Sequence, residues 1–110
     1  GSESKLVKGL ELGCDGVITA TCNVTAQLAR RVYDDFFSAK EQMYNQKLID
    51  VRNAFEKYNL ISALHTFKSK EDKIYENVLP PLGLLGSESD NNLMENLKKL
   101  NFQIKSKLAA

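Results

Sequence analysis

Cys14, Cys22 and His65 are the two thiols and the one imidazole of this sequence, side chains that attack substrates and bind metals. A thiol beside an imidazole makes a nucleophile pair, and thiols with imidazoles at short spacing hold zinc. Neither pattern is complete here. The cysteines do not form a CxxC pair, His65 is the only histidine and is distant from both in sequence, and no orienting or oxyanion-hole motif accompanies them. The expectation is two small buried thiols in a reducing compartment, a histidine packed beside Leu64 and Phe67, no metal and no cofactor.

The elements that must position these residues are mostly helical. Gly13 to Val24 is the exception, a short apolar run bracketed by turn residues. Gly13, Asp15 and Gly16 supply turn chemistry, Val17 to Thr21 is rich in β-branched residues, and Asn23 is a candidate helix N-cap. Before it, Ser2 or Ser4 can cap a helix carrying Leu6, Val7 and Leu10, which Gly13 ends. After it, Ala26, Leu28, Ala29, Val32, Phe36 and Phe37 recur with a period of 3.6 opposite Arg30, Arg31, Asp34 and Asp35, and a break follows near Ser38. A second long helix is predicted over Lys40 to Tyr58, with Met43, Leu48, Val51, Phe55 and Tyr58 as its core stripe and Tyr44 beside them.

Leu60 to Phe67 reads as a shorter helix without a clean cap, and Lys68 to Asn77 as charged and solvated. Val78 to Gly83 is turned or extended around Pro80 and Pro81. Ser87 to Asp90 offers N-caps for a last helix with Leu93, Leu97, Leu100, Ile104 and Leu108 on one stripe. The sum is one strand and four or five helices. A lone strand leaves amide and carbonyl groups unpaired on both edges, so the chain reads as part of something larger.

Composition narrows the function classes. Fifteen basic and fourteen acidic residues leave a net charge of +1, so no global field draws this chain to nucleic acid or an anionic membrane. Its 43% hydrophobic content is that of an ordinary globular protein, without an apolar run of about 18 residues or a signal-peptide pattern. A cytoplasmic protein with no membrane or nucleic-acid partner is expected.

Leu10 to Val24, read as LELGCDGVITATCNV, resembles the last barrel strand of the dihydrodipicolinate synthase and N-acetylneuraminate lyase family, where the usual form is LxLGxDGVISxTxNV. The likeness continues through helices 24 to 38 and 40 to 58, a further short helix, and Val78-Leu79-Pro80-Pro81-Leu82, where the family has an Arg-x-Pro-Pro-like segment. The resemblance implies an α/β fold, the C-terminal fragment of a (β/α)8 TIM barrel plus C-terminal helices. Residues 1–38 would be the last barrel units, helix seven, strand eight and helix eight, and 39–110 a C-terminal helical extension.

Such enzymes make or break a carbon-carbon bond through a Schiff base between a strand lysine and a 2-keto acid. None of the twelve lysines here sits on a barrel-strand pattern, so the resemblance implies no catalytic residue in this chain. Because barrel sites lie at the C-terminal ends of strands, it places Glu3 and Ser4, with Ser2 beside them, in the loop after strand seven. It places Ile18 beside the reactive lysine, followed by Thr19 and Ala20, one facing the mouth and the other the helices. Thr21 and Asn23 would close the strand and cap the helix.

Two departures bear on the substrate. Leu60 to Leu64 stands where many dihydrodipicolinate synthases carry Pro-x-Lys, and Asn77-Val78-Leu79 replaces the Arg of the Pro-Pro segment. Both point away from that synthase and bring a 2-keto-3-deoxy sugar-acid aldolase or a sialic acid lyase level with it. The implied partners are the 2-keto acid or sugar-acid substrate, the remainder of the barrel and further copies in a homo-oligomer. The residues by themselves also permit a small helical interaction module whose terminal stripe docks on a partner.

Overall fold

The computed structural model describes residues 1–103. Among them five helices and no strand are found: α1 (Leu6–Glu11), α2 (Cys22–Phe37), α3 (Asn45–Glu56), α4 (Leu60–Ser69) and α5 (Ser87–Lys99), with short 3-10 turns at Glu3–Lys5 and Lys73–Glu76. The chain divides into two compact units, Gly1–Asn53 and Ala54–Ala110.

In the first unit α1 packs on α2 around Leu6, Leu10, Ala29, Val32 and Leu48. Val7, Val17, Leu28, Phe36 and Tyr44 close over that core, and the Arg31 guanidinium lies 4.4 Å from the centre of the Tyr44 ring. Phe37 and Met43, both expected on core stripes, are exposed instead.

The second unit is built on Ala54, Phe55, Ala63, Leu64, Phe67, Leu93 and Leu97. Phe67 meets Phe55 edge-on at 5.4 Å and stacks on Phe102 at 5.8 Å. Asn59 supplies the N-cap of α4 that the sequence reading missed, its side-chain oxygen accepting the Ser62 amide at 3.1 Å. Thr66 donates to the Ser62 carbonyl and accepts the Leu85 amide, which fastens the segment after the two prolines to α4. Gly86, and none of Ser87 to Asp90, occupies the N-cap of α5.

Three helices stop by the same device. Gly13, Ala39 and Asn101 have φ of +94°, +55° and +57° one residue past the C-caps of α1, α2 and α5. Each left-handed residue lets its own amide and the next one turn back on the last helical carbonyls, the second of them as in Cys14 to Gly9, Lys40 to Asp35 and Phe102 to Leu97. This reversal corrects two expectations. The helix predicted from Lys40 starts at Asn45, because after the turn at Ala39 residues 40–44 run without helical structure; the Leu48 amide bonds the Tyr44 carbonyl at its start. The stripe predicted through Leu108 ends with α5 at Lys99, leaving Leu100 as the C-cap, while Ile104 and Leu108 lie outside the described residues.

The strand predicted over Val17 to Thr21 is a further correction. Residues 14–19 carry no regular structure and 20–21 form the turn into α2, because a strand exists only through a ladder to another strand and the described residues contain none.

These terminations set an expected contrast in stability. Gly13→Ala forces a Cβ into a positive φ with no neighbour within 4 Å, so the loss, about 1–2 kcal/mol, is conformational. Ala39→Gly relieves the same strain and raises stability by about 1 kcal/mol. Urea unfolding of the two variants checks both signs.

Candidate functional site

The first unit contains a charged cluster closed off from water. Glu3 is 0% exposed and Arg52 8%, and their Oε1 and Nη1 atoms are 3.0 Å apart. Glu3 comes from the 3-10 turn, whose N-cap Ser2 accepts the Ser4 amide at 3.4 Å and shares a 2.7 Å hydroxyl contact with Ser4. Thr19 and Thr21 come from the segment entering α2, Cys22 and Thr25 from the first turn of α2, and Arg52 from α3.

The chemistry of the two ions sets the direction of the bonds they make. Arg52 only donates and an ionised Glu3 only accepts. Arg52 Nη1 donates to Glu3 at 3.0 Å, to the Thr19 hydroxyl at 2.8 Å and to the Thr21 hydroxyl at 2.7 Å. Two protons serve three acceptors, so at least one is shared. Thr19 passes its own proton on to Glu3 Oε1 at 3.2 Å. The other carboxylate oxygen, Oε2, accepts from Thr25 at 2.6 Å and from the Cys22 thiol at 3.5 Å. The Thr25 hydroxyl has one proton; the short bond to the carboxylate takes it, and the 3.2 Å approach to the Thr21 carbonyl is secondary.

Electrostatics follow from these contacts. Burial by itself pushes the Glu3 carboxyl up, but the bonds from Thr25, its own backbone and Arg52, with the charge of Arg52, outweigh it and hold the carboxyl below its ordinary value of 4.5. Burial pushes the Cys22 thiol up and the Glu3 charge adds to the effect, against the opposing bond to Thr25, so the sulfur stays protonated at neutral pH. A saturated carboxylate and a protonated thiol make a clamp and are poorly suited to act as base or nucleophile.

Both cysteines are free thiols, and they depart from expectation in burial alone: Cys14 is exposed and Cys22 half-buried. His65, in the second unit, gives its Nδ1 proton to the Tyr75 carbonyl at 2.8 Å, the only role open to a nitrogen facing an oxygen that can only accept. Among the described residues no three His, Cys, Asp or Glu side chains converge as metal ligands.

The sequence-derived site residues fall around this clamp. Glu3 is inside it and Ser4 is half-buried beside it. Ile18 is 93% exposed, Thr19 half-buried, Ala20 exposed and Thr21 fully buried. The alternation settles within this chain which of Thr19 and Ala20 turns inward: it is Thr19. A Cβ placed on Gly1 would lie 3.0 Å from the Ile18 carbonyl oxygen and 3.5 Å from Val17, so the first residue runs beside the 17–18 backbone. Asn23 does not cap α2, which starts one residue earlier; its side chain bonds the Ala20 carbonyl at 2.8 Å, and Thr21 holds the cap position.

Arg52 and Thr25 were missed, yet both left a signal. Arg52 is four residues from Leu48 and three from Phe55, a cation on the apolar face of its helix. Thr21 and Thr25 are hydroxyls at helical spacing on the stripe that continues as Ala29 and Val32.

The cluster predicts a pH and mutational signature. Folded Glu3 binds fewer protons than unfolded Glu3, so its stabilisation is complete above pH 4.5 and is lost as pH falls through the lower folded value. Urea melts between pH 3 and 6 are expected to show that slope in the wild type and to lose that component in Glu3→Gln. At pH 7 either Glu3→Met or Arg52→Met costs about 3–5 kcal/mol, because it strands a buried charge, whereas the double replacement costs far less than the sum.

The dihydrodipicolinate synthetase family model matches residues 1–100 of the chain. Comparisons with curated proteins and with solved structures found no match.

Proposed function

The chain belongs to the dihydrodipicolinate synthetase family, a family of lyases and aldolases, and from that footing we propose that it is the C-terminal part of a Schiff-base-forming enzyme acting on a 2-keto acid. The match over residues 1–100 carries this reading. In it residues 1–38 end the barrel and 39–110 form the helical extension. Ile18 is exposed on a segment that lacks a ladder, and Gly1 lies beside that segment; both fit a segment whose sheet partners lie outside this chain.

The Schiff-base lysine belongs to the remainder of the barrel. An imine requires an amine that is held, desolvated and deprotonated, and this chain's lysines have no such setting in the proposed arrangement. Its own contribution is the rim of the site. Ile18 and Ala20 face the keto acid and Ser4 stands at the loop opposite. Glu3 and Thr19 form the floor behind them, holding their neighbours in place. The substrate is a 2-keto-3-deoxy sugar acid, a sialic acid or a dihydrodipicolinate precursor, the enzyme is a cytoplasmic homo-oligomer, and no observation favours the helical interaction module.

Pyruvate with borohydride tests the assignment by intact mass. The full-length enzyme is expected to gain one reduced pyruvate on a lysine outside this chain, and the 110-residue chain alone none. A stable adduct on one of the chain's own lysines would refute the assignment.

A further inference from the structure

We infer that Arg52 is a positioning residue that sets the spacing between the two segments bordering the substrate, and with it selectivity for the part of the substrate beyond the keto acid. The inference rests on the function proposed above. Its basis is that one nitrogen, Nη1, reaches both segments: Glu3, next to Ser4, at 3.0 Å, and Thr19 and Thr21, on either side of Ala20, at 2.8 and 2.7 Å.

The exposure pattern shows what such a grip controls. Thr19 and Thr21 are the inward residues of the run and Ile18 and Ala20 the outward ones. Fixing the inward hydroxyls fixes the outward side chains, because they alternate along one short backbone. Ser4 is tied to the same point through Glu3 and through its own contact with Ser2. No ladder performs this task within the described residues, so the guanidinium does it. Its planar, delocalised charge suits three oxygens at once; an ammonium on a shorter, flexible stem holds the charge but not the geometry.

The effect must be read in the full-length enzyme, with variants that strand no charge. Arg52→Lys retains the ion pair, and Thr21→Val removes one of the three oxygens while conserving shape. Both are expected to raise KM for the preferred substrate among 2-keto-3-deoxygluconate, N-acetylneuraminate and the pyruvate–aspartate semialdehyde pair by about tenfold to a hundredfold, with kcat within about twofold. Thr21→Ser, which restores the hydroxyl, should bring KM back. Trapping of pyruvate by borohydride should be equal in all variants. A wild-type enzyme that neither traps pyruvate nor turns over any of the three would overturn the proposed function itself. Normal trapping and turnover, with KM unchanged in Arg52→Lys and Thr21→Val or with only the melting temperature altered, would overturn the role of Arg52 and leave the function standing.

Discussion

A carboxylate and a guanidinium withdrawn from water constrain the whole first unit. Desolvating either ion costs several kcal/mol, and their mutual attraction offsets that cost only when the remaining lone pairs and protons are also used. Both Glu3 oxygens are therefore occupied, by Thr19 and Arg52 on one and Thr25 and Cys22 on the other. That demand explains why the cap and first turn of α2 carry hydroxyls at 21 and 25 where its later turns carry Ala29 and Val32. It also ties α3 to the start of the chain across 49 residues, a link that the apolar core around Leu48 strengthens without orienting. The surface pair Arg30–Asp34, 3.0 Å apart, is as close but open to solvent, and contributes at most about 0.5 kcal/mol.

Local backbone rules supply the rest of the architecture. Gly13, Ala39 and Asn101 end α1, α2 and α5 within one residue of where the apolar periodicity could have continued. Asparagine tolerates the left-handed region through its short polar side chain; alanine has no such compensation and occupies it because the bonds from Ala39 to Phe36 and from Lys40 to Asp35 require it. At α5 the reversal has a packing consequence as well: Phe102 is turned back onto Phe67, so the end of the helix is sealed by an aromatic stack.

Much of this was legible in the sequence. The stripes through Leu6 and Leu10, Ala29 and Val32, Leu48 and Val51, and Leu93 and Leu97 are core because period and hydrophobicity agree there. Periodicity says nothing of where a helix stops when the signal is one alanine or asparagine in an unusual φ, which is why α3 begins late and α5 ends early. The strand at Val17 to Thr21 was misread for another reason: β-branched composition records a fitness for a sheet, while strand formation needs a partner that lies elsewhere in sequence. Glu3 was noticed through the family resemblance, but its burial was not, since burial depends on Arg52 and Thr25, which stand 49 and 22 residues away. Polar side chains at core positions were the available clue, and a hydrophobicity pattern discards them as noise.

The run from Ile18 to Thr21 joins these points. It keeps the alternating exposure of a strand without the hydrogen bonds of one, so something other than a ladder must hold the alternation. Arg52 does so from the inward side, through the Thr19 and Thr21 hydroxyls, and Gly1 lies against the backbone at 17–18. A ladder fixes every residue along its length; this arrangement fixes only the inward ones and leaves Ile18 bare. Exposing an isoleucine costs roughly 1.5–3 kcal/mol relative to burying it. Under the proposed reading that exposed side chain lines the interior of the complete barrel, beside the keto acid. On that reading, the same clamp that makes the first unit coherent holds this segment in place, and the chemistry of the site begins on the far side of Ile18.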